Sequence, residues 1–260
     1  MTSSRPLALV TGGSSGIGFE LARQFAQNGF DLVISGSSDK VNKAADEIRL
    51  LGAQCYPYQA DASTYEGVEG LWNHVASLGR PLEAAALNVG IGQGGAFIDN
   101  KLEDDFKLIA INITGTVHMA KRVARHMVAN KSGRILITSS ISATQPTPYE
   151  TVYGPSKAFG FSFAESLRQE LRGTGVTVTA LLPGATDSEF HKNAGMGSSK
   201  IGQSKKNDKT EVARQGFEAL INDVDHVVGG DAQTKQQAIA NRTTPETVKA
   251  ERHAENARLE

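Results

Sequence analysis

The sequence predicts a single α/β domain built on a doubly wound, mostly parallel sheet in three layers. Short apolar runs alternate with amphipathic helical stretches along most of the chain, and strands that alternate with helices must be joined by crossover connections. The first apolar run enters a glycine-rich turn, the place where such a sheet passes from strand to helix. Of the 260 residues, 39% are hydrophobic and only 8 are proline, which supplies one continuous core and excludes a disordered or collagenous chain.

Taken in order, Leu7 to Val10 is the first strand. Helical periodicity then runs from Ile17 to Phe25 and is stopped by Asn28-Gly29. Asp31 to Ser35 reads as the second strand, Asp39 to Leu51 as a helix closed by Gly52, Gln54 to Tyr58 as the third strand and Thr64 to Leu78 as a helix. Ala84 to Asn88, Gly133 to Ser139 and Val176 to Leu182 are further strands, separated by helices near Leu102 to Ala129 and Thr151 to Arg172. After Pro183-Gly184 the periodicity fades, and residues 189–208, rich in Gly, Ser and Lys from Ala194 onward, are expected to form an exposed or mobile excursion. A helix near Glu211 to Ile221 and the pair Val227-Val228 resume the pattern, and a polar helical tail covers about residues 231–260.

The net charge of −1 is spread over interspersed acids and bases, which leaves no field to gather nucleic acid or an anionic membrane. Cys55, the only cysteine, excludes an internal disulfide and a thiolate zinc cluster and reads as a buried hydrophobe in a reducing compartment. No metal site is expected. No apolar run approaches the roughly 20 residues of a membrane helix, and Met1 to Pro6 lacks the apolar stretch of a signal peptide, so the expected location is the cytoplasm. Small-molecule chemistry is what these exclusions leave.

Thr11-Gly12-Gly13-Ser14-Ser15-Gly16-Ile17-Gly18 lies between the first strand and the first helix. Glycines let backbone N–H groups approach a pyrophosphate, and the helix presents its positive end to that charge. The spacing is G-x-x-x-G-x-G, one residue longer than the usual dinucleotide fingerprint. On its own, this trio fits equally well a tight turn that binds nothing.

Together with Tyr153-Gly154-Pro155-Ser156-Lys157, the turn resembles the T-G-x-x-x-G-x-G and Y-x-x-x-K motifs of the short-chain dehydrogenase/reductase family. Asp61, Leu87-Asn88-Val89-Gly90, Asn112, Ser139-Ser140 and Pro183-Gly184 follow the same order, so the likeness covers about the first 190 residues. It departs at Val89, where the family has alanine, and in the tail, where a late Asp-Gly-Gly is missing. The resemblance implies a Rossmann-type domain and oxidoreductase activity, with Ser140, Tyr153, Lys157 and Asn112 as catalytic residues. It also implies a cofactor held by Gly12, Ser14, Ser15, Gly16, Ile17, Gly18, Asp61, Asn88, Gly90, Tyr153, Lys157, Gly184, Thr186 and Ser188. Ser140 is preferred to Ser139, because it precedes Tyr153 by the family's separation and strand alternation points its neighbour elsewhere. Asn112 is equally readable as a satisfied polar group in a helix.

Reducing a carbonyl requires a hydride, which no side chain supplies and a nicotinamide does. Tyr153 and Lys157 are four apart, share a helix face, and let the ammonium lower the phenol's pKa towards working pH. At the end of the second strand Ile34-Ser35-Gly36-Ser37-Ser38 offers no carboxylate to the adenosine ribose, so Ser37 and Ser38 are read as contacts to a 2'-phosphate. NADP(H) is therefore the expected cofactor, with NAD(H) as the alternative. Residues 189–208 are expected to cap the substrate, with Phe190 and Met196 as an apolar lid or as ordinary loop packing, and Gln145, Pro146 and Tyr149 as the opposite wall. The expected partner is a small aldehyde, ketone or alcohol. A 3-oxoacyl thioester reductase or sugar dehydrogenase is the alternative on the same scaffold, and a nucleotide sensor the alternative outside catalysis. The helices near Leu102 to Ala129 and Thr151 to Arg172 resemble the family's packing helices, and that resemblance implies a homodimer, while the altered tail leaves a tetramer open.

Overall fold

The computed structural model describes residues 5–259; Met1–Ser4, most of the segment considered for a leader, and Glu260, the last residue of the tail, lie outside the described residues. Among the described residues, seven strands form one sheet in the order β3-β2-β1-β4-β5-β6-β7, and every pairing is parallel. They are β1 (Leu7–Thr11), β2 (Asp31–Gly36), β3 (Cys55–Gln59), β4 (Leu82–Leu87), β5 (Gly133–Thr138), β6 (Val176–Pro183) and β7 (His226–Gly229). The chain winds outward from β1 through β2 and β3, then returns to β4 on the other side of β1. A crevice therefore opens beyond the carboxyl ends of β1 and β4, where the strand order reverses.

Alternation along each strand decides which layer each side chain enters. Ala8, Val10, Leu32, Ile34, Ala84, Ala86 and Leu136 pack on one face against Leu21, Phe25, Ile48 and Phe217. These come from α1 (Gly16–Gln27), α2 (Lys40–Arg49) and α9 (Lys209–Ile221). Leu7, Leu9, Val33, Ala85, Leu87, Ile135 and Ile137 pack on the other face against Val68, Leu71, Met119, Val123 and Met127. Those belong to α3 (Tyr65–Ser77) and α5 (Thr116–Asn130), with Ala164 added from α6 (Tyr153–Glu170). A parallel sheet buried on both faces needs continuous apolar strands, and β1 is buried at all five positions.

Three regions differ from the sequence expectation. The helix expected from Leu102 to Ala129 comprises α4 (Leu102–Ile109) and α5 joined by a π turn, Ala110–Gly115. One extra residue in a turn leaves no periodic trace in an apolar pattern. The excursion is not exposed throughout: Met196 and Ser199 are fully buried, and Ala194 and Met196 form a small core with Ala257. It contains the short helices α7 (Phe190–Asn193) and α8 (Lys200–Gln203). The tail is two helices, α10 (Ala232–Ala240) and α11 (Glu246–Ala257), and it covers the excursion. Low periodicity reads as exposure because nothing local shows that the tail folds back.

Candidate functional site

At the mouth of the crevice, Gly12 has φ +66° and a Cβ there would meet the Val89 Cα at 3.1 Å. Gly18 is more tightly constrained, since a Cβ would sit 2.1 Å from the Gly12 carbonyl oxygen and 2.5 Å from Asn88 Nδ2. Backbone thus approaches backbone where a side chain would otherwise stand. Ser15, the residue before α1, has extended backbone and makes no side-chain capping bond, which leaves the first-turn N–H groups free of a cap. Thr11 Oγ1 accepts the Asn88 N–H at 3.0 Å and the Val89 N–H at 3.2 Å, tying the ends of β1 and β4 together.

The crevice continues into a cavity of about 1300 Å³, large enough for a dinucleotide and a small molecule together. Its lining includes Gly12, Ser14, Ser15, Gly16, Ile17 and Gly18, then Ser37, Asp61, Asn88 and Gly90, and finally Gly184, Thr186 and Ser188. Ser38 is not brought to the lining; it stands before α2, where its carbonyl accepts the Val41 N–H at 3.3 Å. Asp61 receives the backbone and hydroxyl hydrogens of Ser63 at 2.9 and 2.6 Å, and these bonds hold its carboxyl below the usual range. This cradle of close glycines and an uncapped helix end fits the pyrophosphate of a dinucleotide.

Ser140, Tyr153 and Lys157 line the same cavity and are buried. Tyr153 opens α6, and Lys157 follows one turn later. The Lys157 Nζ donates to the Thr138 carbonyl at 3.2 Å and stands 5.8 Å from the centroid of the Tyr153 ring. Ser139 Oγ donates to the Lys157 carbonyl at 2.7 Å, which fixes the helix to the end of β5, whereas Ser140 Oγ accepts the Ser142 N–H at 3.1 Å. The two serines thus face different partners.

Electrostatics correct one expectation. Proximity to the lysine predicts a lowered phenol pKa, but burial pushes Tyr153 up, Glu150 adds to the rise, and only the Ser140 hydroxyl opposes it. Burial also lowers Lys157, to about 8. Both groups are driven towards their neutral forms because each is buried in a desolvated pocket.

Asn112 lies in the π turn and is buried. Its Oδ1 accepts the Ile91 N–H at 2.9 Å, and its Nδ2 donates to the Ile91 carbonyl at 2.9 Å and to Ser156 Oγ at 3.0 Å. The side chain therefore locks the loop after β4 to α6, as a satisfied polar group would. It does not itself line the cavity, which it meets through Ile91, and π turns recur at functional sites because they re-aim residues in this way.

Of the expected substrate walls, Phe190 and Gln145 line the cavity, with the Phe190 ring 5.2 Å from that of Tyr153. Met196, Pro146 and Tyr149 do not line it, and Met196 serves the packing of the excursion instead. Two features escape a reading of the sequence. Asn207 staples the two ends of the excursion: its N–H donates to the Ala185 carbonyl at 2.8 Å, its carbonyl accepts the Asp187 N–H at 2.9 Å, and its Oδ1 accepts the Asp231 N–H at 2.8 Å. On the far wall, His253 of α11 pairs with Glu150 at 3.0 Å, both nearly sealed from solvent, and reaches Gln145 at 3.2 Å. A histidine and a glutamate 103 residues apart carry no sequence signal that they will meet.

A family model described as short chain dehydrogenase matches residues 6–198. The probable oxidoreductase EphD of Mycobacterium tuberculosis is 35% identical over 191 residues, which is 73% of this chain but only 32% of that protein. This chain thus spans about a third of the length of those relatives. Oxidoreductase UcpA of Salmonella typhimurium is 34% identical over 178 residues, 68% of each chain. Among solved structures, a short-chain dehydrogenase from Sphingobium yanoikuyae in complex with NADPH superposes with a TM-score of 0.82 at 25% identity, covering 91% of this chain and 93% of that one. A short-chain dehydrogenase from Burkholderia cenocepacia in complex with NADP gives 0.72 at 27% identity, covering 87% and 97%.

Proposed function

The chain belongs to the short-chain dehydrogenase family, and from that premise we propose that it is an NADP(H)-dependent oxidoreductase that interconverts an aldehyde or ketone and its alcohol. The observation that carries this reading is the meeting, in one cavity, of an uncapped helix end beside close glycines with the buried Ser140, Tyr153 and Lys157.

The glycine turn and the first turn of α1 would hold the cofactor's pyrophosphate, and a nicotinamide supplies the hydride that no side chain can. The Ser140 hydroxyl donates to the carbonyl oxygen and polarises it. Tyr153, kept protonated by burial, gives its proton to that oxygen in the reducing direction and takes it back in the oxidising one. Lys157, when charged, favours the phenolate that is left behind, and Asn112 keeps the Ile91 loop and α6 in register beneath them.

The cofactor preference rests on Ser35, Gly36 and Ser37, which line the cavity at the end of β2 without a carboxylate to repel a 2'-phosphate. NAD(H) remains the alternative. A thioester reductase or sugar dehydrogenase would use the same proton chemistry and differ only in what fills the cavity. No helix among the described residues is long and apolar enough to cross a membrane, and with the free, buried Cys55 this supports a cytoplasmic enzyme. Phe97, Ile98, Leu102 and Phe106 are exposed in and just before α4, and we read this face as the contact of a homodimer.

A panel of aldehydes, ketones and alcohols assayed with NADPH and NADH tests the whole reading. NADPH oxidation with some carbonyl and a higher kcat/KM for NADPH are expected. Turnover of none in either direction removes the enzyme reading, and a clear NADH advantage removes the cofactor assignment.

A further inference from the structure

The tail helix α11 lies beyond residues 6–198, yet it supplies a wall of the same cavity that holds Tyr153. Its charged groups on that side are paired, with one exception. Lys249 Nζ meets the Glu246 carboxylate at 2.7 Å and the carbonyls of Asn241 and Thr144 at 3.0 and 3.3 Å. His253 meets Glu150. Arg252, which also lines the cavity, meets only neutral oxygens: its Nη2 donates to Asn241 Oδ1 at 2.6 Å and to Gln145 Oε1 at 3.3 Å. Among the described residues no carboxylate lies within 4.0 Å of it, and its Nε and Nη1 make no hydrogen bond.

A guanidinium without a counter-ion on a cavity wall is poised to take one, because its planar fork gives a carboxylate two parallel charge-assisted bonds. Gln145 and Asn241 hold the fork in place, so little side-chain freedom is lost on binding. We propose that Arg252 recognises a carboxylate that the substrate carries in addition to its reacting carbonyl, so that the protein acts on oxo acids and their hydroxy-acid products. The proposal deepens the oxidoreductase reading and rests on it for the reaction, though not for the binding. One guanidinium matches the single charge and planar fork of one carboxylate.

The test pairs 4-oxopentanoate, 5-oxohexanoate and 6-oxoheptanoate with their methyl esters, which keep the carbonyl and remove the charge. For the wild type, kcat/KM for at least one acid is expected to exceed that for its ester by tenfold or more. Arg252→Gln is expected to collapse that ratio by at least tenfold, mainly through KM, and Arg252→Lys to restore part of it. A purely structural role would lower acid and ester together and leave the ratio unchanged, which would overturn the proposal. Calorimetric titration of the same acids with NADP⁺ present needs no turnover. Acid binding that weakens at least tenfold in Arg252→Gln supports the site even if no carbonyl is reduced, a result that would remove only the reaction. Equal binding by wild type and variant, or of acid and ester by the wild type, overturns it.

Discussion

Burial lowers the Lys157 pKa, and the consequence for stability can be given a sign. Its pKa is about 8 in the folded protein against an ordinary 10.5, so below about pH 8 both the native and the unfolded chain carry the proton and the native state bears the full desolvation penalty. Between about pH 8 and 10.5 the unfolded chain keeps a proton that the native protein has lost, and stability rises with pH. Lys157→Met is therefore expected to be more stable than wild type at pH 7, by up to about 3 kcal/mol, since each tenfold change in a proton equilibrium is worth about 1.4 kcal/mol. That advantage should shrink towards pH 10. Thermal melts of both proteins at the two pH values check this, and a variant that is less stable at pH 7 would contradict it. Tyr153→Phe keeps the ring packed on Phe190 and removes only the proton. Its kcat is expected to fall about 10²- to 10⁴-fold with melting temperature nearly unchanged, and full activity would end the mechanism.

At the scale of elements, the entry of α1 and the docking of α11 carry different risks. A methyl group at Gly18 would lie 2.1 Å from the Gly12 carbonyl, so the turn must open to admit it. Gly18→Ala is expected to weaken NADP⁺ binding at least tenfold by fluorescence titration while the sheet folds; unchanged affinity would show that the turn does not hold the cofactor. The α11 helix is fastened by the sealed His253–Glu150 pair, and removing one partner of such a pair leaves the other buried without compensation. His253→Ala is expected to cost about 1–3 kcal/mol, read as a denaturation midpoint, and to raise protease susceptibility in residues 189–208, which the tail covers.

For the whole molecule, Phe97, Ile98, Leu102 and Phe106 form one stretch of exposed apolar residues that the sheet's own packing does not explain. Replacing Phe106 with Glu is expected to turn a dimer into monomers in analytical ultracentrifugation, and a wild type that sediments as a monomer would remove the dimer reading.

The layered sheet was legible in the sequence because its causes are local: apolar strands, helical periodicity, and Gly29 and Gly52 at helix ends all act within a few residues. The glycine turn and the spacing that sets Tyr153 and Lys157 one turn apart at the start of α6 were legible for the same reason. Only the tertiary structure set the direction in which that pair is shifted, since desolvation depends on everything packed around it and pushes the phenol up and the ammonium down. It also decided that Asn112 sits in a π turn bonded to Ile91 and Ser156 and that Asn207 closes the excursion. Above all, it decided that the polar tail returns to place Arg252 and His253 on the cavity wall, because pairings across about a hundred residues are set by how the chain packs and leave no pattern along it.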